Sequence, residues 1–201
     1  MTDVASPPVL TETTDGIAIV RLNRPAQRNP LSRDTLHALG FATSTLFASD
    51  DVQTVIFTGV GDVFASGANI GELAQLDSET ALEFSRLGQD LFQTIADARQ
   101  LSIAAINGYC MGGGLDLALA CDIRVASRDV VLAHPGARLG IITGWGGTQR
   151  LQRLIGRTAA LELLLTGRRV LAEEALRLGL VTAISEDPLC TAISIARRSF
   201  Y

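Results

Sequence analysis

The chain has 201 residues, of which 47% are hydrophobic and 19% charged, and its formal net charge is −4. This composition is typical of a globular protein. Because the chain has no basic block and only 5% aromatic residues, the composition disfavours nucleic-acid binding by electrostatic attraction. The first residues lack the pattern of a signal peptide and the longest uncharged stretch is too short to span a bilayer, so we expect a cytoplasmic protein without membrane contact. The three cysteines form no Cys-x-x-Cys pair, so we expect them to be reduced thiols.

The first half of the chain alternates β-rich runs with longer amphipathic patterns. Apolar runs bounded by turn residues predict strands over Val9–Thr13, Ile17–Leu22, Val52–Thr58 and Leu101–Ile106. The turn residues Thr14-Asp15-Gly16 between the first two strands predict a hairpin. A capping serine before an amphipathic run predicts helices from Ser32 to about Ala48 and from Ser78 to about Arg99. Their apolar positions are Leu36, Leu39, Phe41, Leu46, Leu82, Leu87, Leu91, Phe92 and Ile95. The segment Asp62–Ile70 is predicted as a glycine-containing loop.

The second half continues the alternation. The predicted strands are Ile123–Ala126, Val130–Ala133 and Leu180–Ile184. The predicted helices are Leu115–Cys121, Thr148–Ile155, Ala159–Leu165, Ala172–Leu178 and a last one that begins at Pro188. Because strands and helices alternate, we expect an α/β architecture with largely parallel strand pairing.

One strand–glycine–helix unit carries the strongest functional signal. After the strand Leu101–Ile106, the triplet Gly112, Gly113 and Gly114 leads into a helix whose first N–H groups have no partner within the helix. Such a terminus attracts an oxygen that gains negative charge, and glycine lets a ligand approach the backbone closely. Asp116 lies in the first turn and can reach a group held there. A structural reading stays open here, in which the glycines permit helix–sheet packing and Asp116 complements the helix dipole.

A second loop has the same pattern of a buried strand, glycines and small residues. The segment Phe64–Ile70 can present the N–H of Ala68 to a ligand. Two N–H groups from separate loops that converge on one oxygen form an oxyanion hole. Such a hole stabilises a carbonyl oxygen as it becomes enolate-like, and loss of one donor typically costs about 3 kcal/mol.

Together these segments resemble the crotonase superfamily, the enoyl-CoA hydratase/isomerase group. The matching segments cover essentially the whole chain in order and are Val20–Pro25 with Asn29, Phe64–Ile70, Asn107–Gly114, Ala120–Asp122, Gly146–Leu151, Leu165–Gly167 and Glu173–Val181. The resemblance implies a crotonase-like (ClpP/crotonase) spiral of ββα units, a homotrimer or homohexamer, and an acyl-CoA substrate with no further cofactor. Because His37 and His134 form no ligand-spaced cluster with the cysteines, we expect no metal site. We expect one domain over residues 1–201, with an α/β core to about residue 185 and a C-terminal helical region over 186–201 that is shorter than in the family.

The resemblance also implies the site. The matching oxyanion donors are the N–H groups of Ala68 and Gly113, and the matching proton-transfer group is Asp116. The implied CoA and acyl contacts are Ala26, Gln27, Arg28, Ser66, Ala68, Asn69, Ile70, Tyr109, Gly112, Gly113, Gly136 and Trp145. Trp145 either lines the acyl pocket or packs in the core. His134 either supplies an acid or base or is a hydrogen-bonded structural residue, and Arg138 either contacts a ligand carboxylate or is solvated.

Two substitutions relative to the family pattern bear on the reaction. Typical hydratases carry glutamates at the positions of Asp116 and Gly136, because hydration needs one carboxylate to activate water and a second group to hold it or to protonate the α-carbon. Aspartate is one methylene shorter, and a displacement near 1 Å can cost on the order of 100-fold in rate.

From the resemblance and the two predicted N–H donors, we expect an enzyme that stabilises a thioester enolate for hydration or double-bond isomerisation of enoyl-CoA. The alternatives are a silent acyl-CoA-binding homologue and a decarboxylase or hydrolase variant.

Overall fold

The computed structural model describes residues 6–199. The described chain opens with a hairpin of two strands, β1 (Val9–Thr14) and β2 (Ile17–Leu22), paired antiparallel from Val9 opposite Leu22 to Thr14 opposite Ile17. Its two-residue turn, Asp15-Gly16, has φ values of 51° and 76°, and this positive-φ pair matches the right-handed twist of the strands. The predicted hairpin is confirmed.

Strands and helices then alternate along the chain. In order they are β3 (Pro30–Leu31), α1 (Arg33–Ala48), β4 (Thr54–Gly59), β5 (Val63–Ala65), β6 (Gly67–Ala68), α2 (Ile70–Leu73), α3 (Ser78–Ala96), β7 (Leu101–Ile106), β8 (Tyr109–Met111), α4 (Gly113–Ala120), β9 (Ile123–Ser127), β10 (Val131–Ala133), α5 (Gly147–Ile155), α6 (Arg157–Thr166), β11 (Val170–Leu171), α7 (Ala172–Leu178), β12 (Ala183–Ser185) and α8 (Pro188–Arg198). Short 3-10 turns lie at Pro25–Gln27 and Pro135–Leu139. Within residues 6–199, no helix is both long and apolar enough to cross a membrane.

The strands form a six-stranded sheet in the order β1-β2-β4-β7-β9-β12 and a four-stranded sheet in the order β11-β10-β8-β5. From β2 to β12 all neighbours in the larger sheet are parallel, and so are β5, β8 and β10 in the smaller one. Each repeat sends one strand to the larger sheet, the next to a second sheet, and then adds a helix, as in β7–β8–α4. The chain therefore winds as a spiral of ββα units.

The core lies on both faces of the six-stranded sheet. Along β2, Ala18, Val20 and Leu22 pack into the main core with the helices, while Ile17 and Ile19 pack on the opposite face with Ala192 and Ala196 of α8. This division follows from the strand period of two, which sends successive side chains to opposite faces. Because both faces are covered, the parallel strands read as continuous apolar runs in the sequence.

The two long helices test the predicted caps and apolar faces. Ser32 caps α1 by accepting a hydrogen bond from the Thr35 N–H, as predicted. The predicted Ser78 cap of α3 is wrong, because Asp77 is the N-cap and forms a reciprocal capping box with Thr80. The predicted end at Arg99 is also wrong, since α3 ends at Ala96. Phe41 and Leu82, two of the apolar positions of these helices, are 76% and 52% exposed.

Three further boundaries differ from the prediction. The predicted loop Asp62–Ile70 contains β5 and β6, which pair with β8 and β3 from distant parts of the chain. The predicted strand Leu180–Ile184 is paired only from Ala183, and the strand predicted from Val52 begins at Thr54. These differences share one cause, because strand pairing depends on partners that local sequence does not specify.

Candidate active site

The two loops that carry the predicted oxyanion donors lie against each other. A Cβ added at Gly67 would lie 2.8 Å from the carbonyl oxygen of Met111 and 3.1 Å from the backbone nitrogen of Gly113. The φ of Gly67 is +93°, so this close approach needs glycine for conformation as well as space. Gly67, the residue before Ala68, thus lies close to the backbone of Gly113, and Ala68 and Gly113 are both only partly buried. The structure brings the two loops that carry these residues together.

The N-terminus of α4 is held by a backbone contact from a neighbouring strand. The N–H of Gly112, whose φ is +51°, donates to the carbonyl of Ala133 at the end of β10 over 2.9 Å. Helix α4 begins at Gly113 and its N-cap supplies no side-chain hydrogen bond. Gly114 serves packing, because a Cβ there would lie 2.5 Å from the carbonyl oxygen of Ala65. The glycine triplet therefore has both a packing role and an open helix end.

Asp116 projects from the first turn of α4 into the protein, where it is only 1% exposed. The Thr143 hydroxyl donates to its Oδ2, and Gly147 is so close to its Oδ1 that a Cβ at that position would overlap it. Burial raises the pKa of Asp116 to about 7, opposed by the Thr143 hydrogen bond, the positive charge of Arg150 and the backbone N–H of Trp145. A carboxyl group with a pKa near 7 is suited to both accepting and releasing a proton at neutral pH.

His134 lies beside Asp116. Its Nε2 is 3.3 Å from Oδ1 of Asp116, and the side chain is 3% exposed. Burial lowers the pKa of His134 to about 4. Neither ring nitrogen has a hydrogen-bond partner among residues 6–199. Both roles predicted for His134, acid or base and structural residue, therefore concern a buried side chain that lies against Asp116.

Trp145 packs in the core. Its ring makes edge-to-face contacts with Phe84 and Phe92 at centroid distances of 5.2 and 5.8 Å, and its Nε1 donates to the carbonyl of Phe84 over 3.2 Å. The ring also lies against Gly88 and Gly113, where an added Cβ would overlap it. Trp145 therefore forms a rigid wall beside Gly113, and its core-packing role is observed directly.

Gly136 lies in a tight turn that has no room for a side chain. The Ile141 N–H donates to the Gly136 carbonyl over 3.0 Å, and a Cβ at Gly136 would lie 2.7 Å from the Ile141 carbonyl oxygen. A carboxylate at this position would need the turn to move. Arg138, in the same turn, is exposed and makes only a long contact of 3.4 Å to the Thr166 carbonyl.

The residues implied in CoA binding lie along an exposed edge next to Ala68. Ala26, Gln27 and Arg28 are exposed, and the Ser66 N–H donates to the Arg28 carbonyl over 3.1 Å, which joins the two implied segments. The Arg28 guanidinium lies 4.8 Å from the centre of the Tyr109 ring. Farther along this edge, Asn69 caps α2 through its side chain and Ile70 is exposed.

Two residues near Asp116 were not singled out from the sequence. Thr143 and Arg150 come from a glycine-rich segment and a helix that are 27 and 34 positions away in the chain, so no local spacing indicates them. Cys110 is completely buried, and burial together with the charge of Asp116 raises its pKa, so it is not a nucleophile. Within residues 6–199, no group of three His, Cys, Asp or Glu side chains is arranged to hold a metal ion.

Comparison with known proteins adds independent information. Residues 12–198 match a family model described as enoyl-CoA hydratase/isomerase. The short-chain-enoyl-CoA hydratase of Clostridium acetobutylicum is 37% identical over 193 residues, which cover 94% of this chain and 74% of that protein. The crotonyl-CoA hydratase of Syntrophomonas wolfei is 39% identical over 177 residues, which cover 88% of this chain and 68% of that protein.

Solved structures agree with the sequence comparisons. The crystal structure of an enoyl-CoA hydratase from Bacillus anthracis superposes with a TM-score of 0.91 at 36% identity, covering 95% of this chain and 76% of that one. The enoyl-CoA hydratase from Thermoplasma volcanium superposes with a TM-score of 0.92 at 34% identity, covering 96% of this chain and 77% of that one. The similarity therefore extends over nearly all of this chain and about three quarters of each solved relative.

Proposed function

The chain belongs to the enoyl-CoA hydratase/isomerase family, and from this membership we propose that it moves a proton on an enoyl-CoA thioester through Asp116. The membership confirms the enzyme class and the crotonase-like fold expected from the sequence. The one observation that carries the finer proposal is a buried carboxyl group with a pKa near 7 in the first turn of the helix that begins at Gly113.

The thioester carbonyl would bind at the paired loops. In the proposal its oxygen accepts hydrogen bonds from the N–H groups of Ala68 and Gly113. The contact of Gly67 with the Gly113 nitrogen supports this assignment, because it makes the two donor segments neighbours. The Trp145 wall beside Gly113 limits how far those segments can move. A preorganised pair of donors in a site that excludes water stabilises the enolate oxygen without reorganisation during the reaction.

The proton would move between two carbons of the bound substrate. Asp116 removes a proton from the α-carbon of a 3-enoyl-CoA, and the electron pair of that bond is delocalised into the thioester as an enolate. The same carboxyl group then returns the proton to the γ-carbon, which completes the shift of the double bond to the conjugated position. No oxidant or second carboxylate is needed for this isomerisation.

Hydration is the second candidate, and the names of the hydratase relatives favour it. It needs a second group that holds the water or protonates the α-carbon. Gly136 supplies no such group and its turn has no room for one. This difference makes isomerisation the leading reaction.

A spectrophotometric assay tests the proposal. The purified chain is incubated with a 3-enoyl-CoA and, separately, with crotonyl-CoA, and the absorbance of the conjugated enoyl thioester is followed. We expect it to rise with the first substrate and to change much more slowly with the second. Asp116→Asn should lower the rate by about 10²–10⁴-fold, the usual contribution of a general acid–base group. Asp129→Asn, which changes an exposed aspartate on the turn between β9 and β10, is the matched control and should keep the rate.

Three outcomes would contradict the proposal or part of it. An unchanged rate in Asp116→Asn would remove Asp116 from the mechanism. Faster turnover of crotonyl-CoA than of the 3-enoyl-CoA would make hydration the reaction. Calorimetric binding of an acyl-CoA without turnover of either substrate would leave only the alternative of a silent acyl-CoA-binding homologue.

The proposal extends to assembly and location. We expect a homotrimer or a dimer of trimers in the cytoplasm, as the family resemblance implied. Exposed leucines at 161, 165 and 171, on α6 and β11, support an association surface on this side of the molecule. Light scattering on the purified chain measures the mass in solution, and a monomer would contradict this part.

A further inference from the structure

His134 has a neighbour but no conventional hydrogen bond. Its Nε2 is 3.3 Å from Oδ1 of Asp116, and both atoms are completely buried. Both are also without another partner among residues 6–199. Leaving two buried polar atoms unpaired is unfavourable, because each has lost its hydrogen bonds to water. One proton between the two atoms would satisfy both of them.

The protonation states make such a shared proton possible. Burial favours the neutral form of each group, which raises the pKa of Asp116 to about 7 and lowers that of His134 to about 4. Between these pH values a protonated carboxyl faces a neutral imidazole. The carboxyl O–H can then donate to Nε2, while the other carboxyl oxygen accepts from Thr143.

We propose that His134 is a positioning residue for Asp116, and that Nε2 and Oδ1 hold one proton between them. In turnover the imidazole keeps its Nδ1 proton, and the carboxylate takes the proton from the substrate α-carbon, shares it with Nε2 and returns it to the γ-carbon. In the free enzyme, once the pair has lost its shared proton to solvent, the ring exchanges its Nδ1 proton with solvent for one on Nε2, which donates to the carboxylate. This inference rests on the proposed role of Asp116, but the shared proton can be observed without any substrate.

Other charged and titratable groups act on the pair from the surrounding elements. Arg150 of α5 favours the ionised carboxylate. Cys110 of β8 stays a neutral thiol, because burial and the carboxylate both raise its pKa. Arg168, next to β11, lines with His134 a cavity of about 10 Å³, but its guanidinium is paired with Glu162 and Glu174. Among residues 6–199, the titratable side chain found against Oδ1 of Asp116 is His134.

Nitrogen NMR of the full chain tests the shared proton directly. The sequence has only two histidines, and His37 is exposed on α1, so His37→Gln leaves the His134 signals alone in a histidine-labelled sample. Over the pH range in which the protein is folded, we expect the His134 nitrogens to pass through one transition from the Nδ1–H to the Nε2–H tautomer. In Asp116→Asn this transition should be absent. A His134 spectrum that does not change with pH, or the same transition in Asp116→Asn, would overturn the proposal.

Kinetics separate positioning from a merely structural role. In His134→Gln the amide reaches about the position of Nε2 but cannot take up a proton, so we expect kcat to fall at least 10-fold with KM nearly unchanged. The apparent pKa of the pH–rate profile should also move, whereas His37→Gln should keep the wild-type rate and profile. Wild-type rate and profile in His134→Gln would overturn the proposal. If the wild type turns over no enoyl-CoA, the proposed function fails, and the NMR titration still decides whether the proton is shared.

Discussion

At the scale of single residues, the ionisation of Asp116 links the site to stability. The pKa of this carboxyl group is about 7 in the folded chain, against an ordinary value of 3.8, because burial disfavours the charged form. The folded state therefore binds the proton more tightly than the unfolded state. The stability associated with the neutral carboxyl is fully present below pH 3.8 and is lost as the pH rises through 7.

This linkage predicts a stability difference that depends on pH. Asp116→Asn keeps the shape of the side chain without its charge, so the variant should gain stability relative to the wild type as the pH rises from 4 to 8. The upper limit of that gain is roughly 4 kcal/mol, from 1.36 kcal/mol for each pKa unit. Urea denaturation at pH 4.5 and pH 8 measures it.

The titration of His134 and the control variant Asp129→Asn both bear on whether the pH-dependent stability difference arises at Asp116. His134, whose pKa is lowered to about 4, contributes stability that is present above pH 6.5 and lost as the pH falls towards 4. Because His134 lies against Asp116, the difference between the two proteins reports on Asp116 together with its effect on His134. Asp129→Asn should show a difference that is small at both pH values. A difference for Asp116→Asn that is the same at pH 4.5 and pH 8 would contradict the assignment.

Gly136 shows why the second carboxylate cannot simply be restored. Gly136→Ala should lower the free energy of unfolding by about 1–3 kcal/mol, because the new methyl group meets the Ile141 carbonyl oxygen and the turn has to move. Gly40→Ala is the matched control, since nothing lies closer than 4.0 Å to a Cβ at that position on α1. Its helical site should make the change neutral or stabilising by about 0.5–1 kcal/mol. Chemical denaturation measures the free energy of unfolding of both variants. Equal values for Gly136→Ala and Gly40→Ala would refute the prediction that a Cβ at Gly136 is unfavourable.

At the scale of elements, the exact start of helix α3 determines which residue stabilises it as the N-cap. Asp77 and Thr80 form the capping box of α3, whereas Ser78 is already the first helical residue. Asp77→Ala should therefore lower the free energy of unfolding by about 1 kcal/mol, and Ser78→Ala should change it by much less. Thermal and urea denaturation of the two variants gives a direct comparison. A larger loss for Ser78→Ala would contradict the observed cap.

The same scale explains how the site is built. Helix α4 ends the unit β7–β8–α4, and its first turn is joined to the end of β10 by the hydrogen bond from Gly112 to Ala133. Asp116 then reaches Thr143 and the N-terminal end of α5. Helix α4, the end of β10 and the segment that leads into α5 therefore meet around one carboxyl group.

At the scale of the whole molecule, Trp145 joins elements that are far apart in the chain. Its ring contacts Phe84 and Phe92 of α3 and lies against Gly113 of α4. Trp145→Ala should lower the free energy of unfolding by about 3–5 kcal/mol, the usual cost of truncating a buried aromatic residue. Phe41→Ala, at a position that is 76% exposed, should change it by about 0.5 kcal/mol or less. Similar losses in denaturant titrations of the two variants would refute the central packing role of Trp145.

The sequence by itself determined the α/β class, the hairpin, most helices and the family, because strand and helix periods, turn residues and glycine motifs are local. The resemblance to the family also predicted that Ala68 and Gly113 lie close together, and the close approach of their two loops supports that prediction. Only the tertiary structure decided that β5, β6 and β8 are strands, since their partners lie far away in the chain. It also decided that Asp116 is buried beside His134 and Thr143, 18 and 27 positions later. The physical reason is that burial, and with it the pKa of a carboxyl group, depends on what the folded chain packs around it.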